Sequence, residues 1–449
     1  MKLEVWIEAL DRPIGTLDRA EDKSLSFTYA PNLPPQARMS LALPIREAPY
    51  GDAACVAFFG NLLLEGRELE RVMAAHRIDR DDIGALLFHL GADSPGAISI
   101  TPEGQGPGKR PGHMAEDYDE VEAAAVARIV TSLHTLGRLP DGASDPSPIA
   151  GVQPKIALMH RKGRFYLPKP GSGAPTTHIL KVSPREDSDL TRHEVALLSL
   201  ARRLGLDVTD CSAMTFPRPD TGGTIHALLT RRFDRAIDGP LIRRIHSEDF
   251  AQAAGLARHL KYERDAATPD HRFSAEAIGR LAKQTSAPAL FQMELLRHTL
   301  FSLAVGNTDN HAKNGSILYS ASAGRLAPLY DVVPVTMDPR VSHEFSFLHG
   351  KAAFAEDLTV TDLEQTMRDL GFARPKFAGP WIKIFRDVAA GLDDLAREGG
   401  KSLADAVAAQ LSVIESALGI GLAIPARDYF PRLTRDERAS GGGWGGFTP

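Results

Sequence analysis

Apolar and polar positions change rhythm several times along this chain. Leu3 to Leu10, then Gly15 to Ala30, suggest a strand, a turn and another strand. Ala53 to Ile78 carries apolar faces at helical spacing. Residues 1 to about 100 are therefore expected to form a small α/β module. Thr101 to His113 and Gly137 to Pro148 are rich in turn residues and read as linkers or exposed loops. After the second break the strand signal is strong. Ile156-Ala157-Leu158-Met159 and Phe165-Tyr166-Leu167 flank a glycine-bearing hairpin connection, and Thr177 to Val182 reads as a further strand. A helix is expected from Thr191, with Val195, Leu198, Ala201 and Leu204 on one stripe and a stop at Gly205. Ala227-Leu228-Leu229 leads another strand, and Asp238-Gly239 turns the chain into Leu241 to Ile245. From Ser247 onward the pattern is mostly helical, as around Phe291 to Leu303 and Ala404 to Leu418.

This order predicts an α+β architecture with a small β-rich lobe ahead of a larger, mostly helical one. The expected segments are a module at 1–105, a connection at 106–148, a β-rich lobe at 149–245, a helical lobe at 246–435 and a disordered glycine-rich tail at 436–449. Composition changes little. The 449 residues are 43% hydrophobic and 24% charged, as in ordinary soluble proteins. A net charge of -5 argues against a chain that binds nucleic acid by itself. Cys55 and Cys211 are too few for a disulfide framework or a zinc site and fit a reducing cytosol. No apolar run of membrane-spanning length is expected, and the N-terminus does not read as a signal peptide.

The chemistry concentrates after the helix that ends near Val305. Gly306 and Asn307 are helix stoppers, so Asp309 falls in a loop just beyond a rigid element. Asn314 follows Asp309 by five positions, the Asp-x-x-x-x-Asn spacing of protein kinases. There the Asp orients the attacking hydroxyl and the Asn oxygen binds magnesium. Asp331 comes 17 residues after Asn314, and a hairpin from Gly315 to Pro328 would return it beside Asn314. Two such oxygens plus phosphate oxygens suit octahedral magnesium. Asp and Asn are also ordinary turn and cap residues, Asp331 is equally a turn former, and His311 reads equally as a phosphate ligand or a loop residue.

The β-rich part offers a weaker signal. Ala150-Gly151-Val152-Gln153-Pro154-Lys155 matches no glycine-rich phosphate motif, although backbone N–H groups and one lysine can hold phosphate. It reads equally as a strand-entry loop. Lys181 ends an apolar strand and is placed to reach nucleotide phosphates. Glu194 is either its partner or the closing residue of a capping box begun by Thr191. Arg231-Arg232-Phe233 stands where the lobes would join, with backbone groups suited to adenine, or with Phe233 simply in the core.

Several motifs carry a resemblance. They are Asn61 to Gly66, Gly91 to Ala97, Ala150 to Lys155, Thr176 to Lys181, Arg232-Phe233-Asp234-Arg235, Glu248-Asp249 with Gln252, Lys261-Tyr262, Thr308 to Asn314, and Tyr330-Asp331. In these the chain resembles, nearly end to end, the HipA family of bacterial serine/threonine kinase toxins, with a protein-kinase-like two-lobe fold and an N-terminal coupling module. The resemblance implies Asp309 as catalytic base and Asn314 and Asp331 as magnesium ligands. It implies an ATP site made by Lys181, by Ala150, Gly151, Val152, Gln153, Pro154 and Lys155, by the hinge Arg231, Arg232 and Phe233, and by His311, Lys313 and Tyr330. Family members phosphorylate aminoacyl-tRNA synthetases, typically glutamyl-tRNA synthetase, and so block translation. They are restrained by a HipB-type DNA-binding antitoxin, with which they repress their operon. One departure stands out. The family often has an autophosphorylated serine two residues before the Ala-Gly of the nucleotide loop, where this chain has Pro148. Ser147 is the expected replacement, with Ser144 further away. Two competing readings remain: a kinase with a small-molecule acceptor, and a non-enzymatic co-repressor subunit.

Overall fold

The computed structural model describes residues 1–427 except 65, 144, 146, 148–150, 152, 221, 321 and 322. The expected tail at 436–449 lies outside the described residues. The chain divides into two compact units. One comprises Met1–Arg185, Met214–Arg258 and Ser316–Gly324; the other comprises Glu186–Ala213, His259–Gly315 and the chain from Arg325 onward.

The first unit opens with an antiparallel sheet of Leu25–Tyr29, Gly15–Arg19, Lys2–Ile7 and Ile98–Pro102, in that spatial order. Its alternation puts Leu3, Val5, Leu17 and Phe27 in one core with Phe58, Phe59, Leu86 and Leu87 from the helices that follow. A second sheet has six strands, in the order Cys211–Pro217, Thr224–Arg231, His178–Val182, Lys155–Arg161, Arg164–Pro168 and Tyr118–Val121. The hairpin turn read at 160–164 is present, with Lys162 and Gly163 both at positive φ.

Residues 106–148 are more than the expected connection. They hold the strands Gly112–His113 and Tyr118–Val121 and the helix Ala123–Leu136. Val126, Val130 and Leu133 recur at helical spacing and pack on Ile156, Leu158, Leu180 and Leu229 of the second sheet. The Gly- and Pro-rich flanks drew the eye to loops and hid this stripe. Within the flank, Lys109 pairs with the buried Asp93 at 3.1 Å.

Buried polar groups tie the N-terminal module to the rest of this unit. The Arg244 guanidinium donates to Glu8 Oε2 (2.9 Å), Ile98 O (2.8 Å) and Ser99 Oγ (3.0 Å), and its backbone N–H donates to Glu8 Oε1 (2.7 Å). Asn61 Nδ2 donates to Leu256 O at 2.8 Å. Glu248 Oε1 accepts from Leu41 N at 3.0 Å and from the Tyr319 hydroxyl.

The second unit is mainly helical, as expected: Leu190–Arg203, Ala275–Ala282, Pro288–Val305, Val360–Asp369, Gly379–Ala390, Leu392–Glu398 and Lys401–Leu418. The hairpin expected between Gly315 and Pro328 is present as Ser316–Ser320 and Ala323–Leu326; the mostly helical reading from Ser247 onward missed the strand that pairs with it, Ser247–Asp249. The α+β class read from the sequence is the observed one.

Burial pushes Glu248 up to about 7, and its Oε2 has no hydrogen-bond partner. The folded chain therefore keeps this proton to higher pH than the unfolded chain does. The contribution to stability is present at acid pH and falls as pH rises through about 7. The Glu248→Gln variant should lose less stability than wild type between pH 5 and pH 8. Thermal melts at the two pH values check this, with roughly 2–4 °C expected per kcal/mol.

Candidate active site

Pro288 starts the helix that presents the candidate loop, and Gly306 ends it in the left-handed conformation at φ 75°. The glycine is required twice. A Cβ there would also fall 2.2 Å from Thr336 Oγ1. The buried helix end, with Leu300, Phe301, Leu303 and Val305 in the core, gives the next residues a fixed starting point.

The loop then closes on itself. His311 N and Asn314 Nδ2 both donate to Asp309 O, at 2.9 and 2.8 Å, and Asn314 N donates to His311 O at 2.8 Å. Two distant segments clamp it. Ala312 N donates to Lys261 O (3.0 Å), and Ser346 Oγ donates to Thr308 O (2.7 Å). The clamps join each other, since Glu263 N donates to Ser346 O and Leu348 N to Glu263 Oε2.

Asp309 is only 6% exposed, and the Tyr262 hydroxyl donates to its Oδ1 at 2.6 Å. Burial pushes the carboxyl up to about 7, against the pull of Tyr262 and Lys261, and the charge of Asp331 adds to the rise. Burial pushes His311 down to about 3, with Lys261 adding to the fall, so the ring is neutral at physiological pH. Its Nδ1 accepts from Lys313 N at 3.2 Å. His311 thus builds the loop through this nitrogen.

Asp331 sits at φ 56°, a conformation L-residues adopt at a cost of about 1–3 kcal/mol. Such strain persists where surroundings hold it, and Tyr330 does so by donating its hydroxyl to Lys313 O at 3.1 Å. Asp331 is therefore near the loop, close enough for its charge to act on both Asp309 and His311. Asn314 has committed its amide nitrogen to Asp309 O, which leaves its oxygen as the end able to serve a cation. Among the described residues no three His, Cys, Asp or Glu side chains gather as a metal cage. The Asn314 and Asp331 oxygens could serve a hard cation only together with water and substrate oxygens.

In the first unit, Lys155 and Lys181 are direct cross-strand partners, so their side chains leave the same face of the sheet. That face is opposite the one carrying Ile156, Leu158 and Leu180. Like charges directly opposite are destabilising, and an anion offsets them. Gly151 lies at φ 113°, and a Cβ there would come within 2.5 Å of Lys155 Nζ. Gln153 Nε2 is buried without a hydrogen-bond partner, and Pro154 O accepts from Val182 N at 2.9 Å. Ala150 and Val152 lie outside the described residues, as do Ser144 and Pro148.

Arg232 turns inward. It makes a two-pronged pair with Asp234 (3.0 and 2.8 Å) and donates to Ser147 Oγ (3.1 Å) and Thr176 Oγ1 (3.3 Å). Its side chain is a structural centre, and its backbone N–H donates to Thr177 O at 2.9 Å; Arg231 ends its strand exposed and Phe233 is half-buried. Ser147 is 2% exposed, and its N–H donates to Asp145 Oδ1 at 3.0 Å. The capping box read at Thr191 is corrected. The helix begins at Leu190 with Asp189 as its cap, so Thr191 lies within the first turn, and Glu194 is buried. Tyr262 and the Glu263–Ser346 clamp were not legible as site elements. They lie about fifty residues before the loop and about thirty after it, and only Lys261-Tyr262 left a trace, as a matched motif.

Residues 147–395 match the HipA-like C-terminal domain, and residues 3–101 match the HipA N-terminal domain. The chain is 31% identical over 386 residues to the putative kinase Y4mE of Sinorhizobium fredii, covering 83% of this chain and 86% of that one. It is 30% identical over 291 residues to the serine/threonine-protein kinase toxin HipA of Shewanella oneidensis, covering 62% and 63%. The solved complex of the Shewanella oneidensis toxin–antitoxin proteins HipA and HipB with operator DNA has a chain similar in fold. The TM-score is 0.73 at 23% identity, over 93% of this chain and 98% of that one. A match to both domains in chain order, carried by a relative that spans most of the sequence, makes this chain a HipA-family kinase.

Proposed function

We propose that this chain transfers the γ-phosphoryl group of ATP to a serine or threonine of a protein target, as the toxin of a toxin–antitoxin pair. The observation that carries the reading is the buried Asp309 on a clamped loop, with Asn314 and Asp331 beside it. In this reading Asp309 orients the acceptor hydroxyl and takes its proton as the oxygen bonds to the γ-phosphorus. The bond to the β–γ bridging oxygen breaks and ADP leaves. A base whose pKa lies near neutrality suits that task. Magnesium, held by Asn314 and Asp331, would supply neutralisation of phosphate charge. Lys155 and Lys181 would meet the phosphates, under the loop that contains Gly151. Backbone groups at Arg231 to Phe233 would meet adenine. His311 Nε2 and Lys313 would line the phosphate site, with Tyr330 fixing the loop.

The target we propose is an aminoacyl-tRNA synthetase such as glutamyl-tRNA synthetase, in the cytoplasm, with translation and growth inhibited as the outcome. The family resemblance supports this. A HipB-like antitoxin is the proposed partner, with operator DNA reached through it. The solved HipA–HipB–DNA complex supports that partner, and the net charge of -5 fits DNA contact through a basic partner. Ser147 is the proposed autophosphorylation site in place of Pro148. Its hydroxyl is seated on Arg232, so modification requires the segment to leave that seat.

Two outcomes follow. Asp309→Asn should lower phosphoryl transfer by roughly 10²–10⁴-fold and abolish growth arrest, with antitoxin binding retained. Phosphoproteomics of cells expressing wild type or variant reads both the loss and the target, and unchanged labelling counts against the assignment. Incubation with ATP should place phosphate on Ser147 as activity declines. Phosphopeptide mapping that finds Ser147 unmodified in protein so inactivated removes it as the off-switch.

A further inference from the structure

The reaction asks a specific thing of Asp309. One carboxylate oxygen must face the acceptor hydroxyl, yet the carboxylate torsion of aspartate is a broad rotor with two nearly equivalent oxygens. The backbone bonds of the loop fix where Asp309 begins and say nothing about that last torsion. Tyr262 does. Its hydroxyl donates to Oδ1 at 2.6 Å.

The ring that carries this hydroxyl is held on several sides. The residue before it accepts from Ala312 N, and the residue after it donates to Ser346 O. Arg264 Cζ stands 4.1 Å from the ring centroid, and Lys261 Nζ stands 5.4 Å from it. The ring of His311 meets it edge-on at 5.2 Å. The charged and titratable groups around the pair are thus Arg264, Lys261, Asp265, His311 and Asp331. Burial and the Asp309 charge raise the phenol above its ordinary value, so it remains an O–H donor.

We propose that Tyr262 is the positioning residue of the catalytic carboxylate, holding Oδ1 of Asp309 so that Oδ2 is the oxygen presented to the acceptor hydroxyl. The inference rests on the kinase reading above and adds a second residue to its machinery, one that touches neither ATP nor the acceptor. Removing the hydroxyl frees the rotor and leaves the nucleotide groups alone.

Tyr262→Phe keeps the ring and its packing. The test is transfer from [γ-³²P]ATP to proteins of a whole-cell extract, followed against ATP concentration, for wild type, Tyr262→Phe, Asp309→Asn and the double variant. The expected result is a fall of roughly 10–100-fold in the rate at saturating ATP, with the KM for ATP within about twofold and an unchanged melting temperature. On top of Asp309→Asn, the loss of the hydroxyl should cost nothing further, because it acts through that carboxylate. An unchanged rate in Tyr262→Phe overturns the inference while leaving the kinase reading intact. A fall that is as large in the Asp309→Asn background, or that comes with a raised KM and lowered melting temperature, also overturns it and marks Tyr262 as merely structural. A wild type without any transfer overturns the kinase reading, and the inference with it.

Discussion

A carboxylate taken out of water is the constraint around which the second unit is organised. An unpaired buried charge costs several kcal/mol, so Asp309 is tolerable only where its surroundings are fixed. The chain supplies that fixity from three places in sequence: the rigid helix end at Gly306, the segment around Tyr262 and the segment around Ser346. Each contributes one or two hydrogen bonds, worth about 1 kcal/mol apiece in isolation. Together they leave the loop one conformation. The partial compensation keeps Asp309 near neutrality in its proton affinity, which a fully paired carboxylate would not be.

In the first unit, strand register decides which charges meet. Lys155 and Lys181 are brought side by side by strand register, a placement that follows from the alternation of the strands and not from any glycine-rich signature. Elsewhere in the same unit the buried Arg232 and Arg235 both pair with Asp234.

Much of this was legible in the sequence because it is periodic or local. The apolar run Ile156 to Met159, the stripe of Val195, Leu198, Ala201 and Leu204, and the five-residue step from Asp309 to Asn314 are short-range patterns; the run is a buried strand, and of the stripe Leu198 and Ala201 are buried while Val195 and Leu204 are half-buried. What could not be read was long-range. Nothing near Asp309 in sequence announces Tyr262 or Ser346, and nothing near Arg244 announces Glu8. The helix Ala123–Leu136 shows a different failure. Its stripe was present, but turn-rich flanks outweighed it. At Thr191 a local motif was satisfied on paper, while the helix begins at Leu190 with Asp189 as its cap, two residues before the cap the motif requires.

The Arg244 cluster bears on how this chain can be divided. The two matched domains, 3–101 and 147–395, suggest pieces that might be expressed apart. Severing them would strand the Arg244 guanidinium on one fragment and the Glu8 carboxylate, Ile98 carbonyl and Ser99 hydroxyl on the other. Each fragment would then carry one half of a buried ion pair. The boundary between the matched domains is thus not a boundary between compact units: the N-terminal module shares its unit, and a buried ion pair, with the segment that carries Arg244.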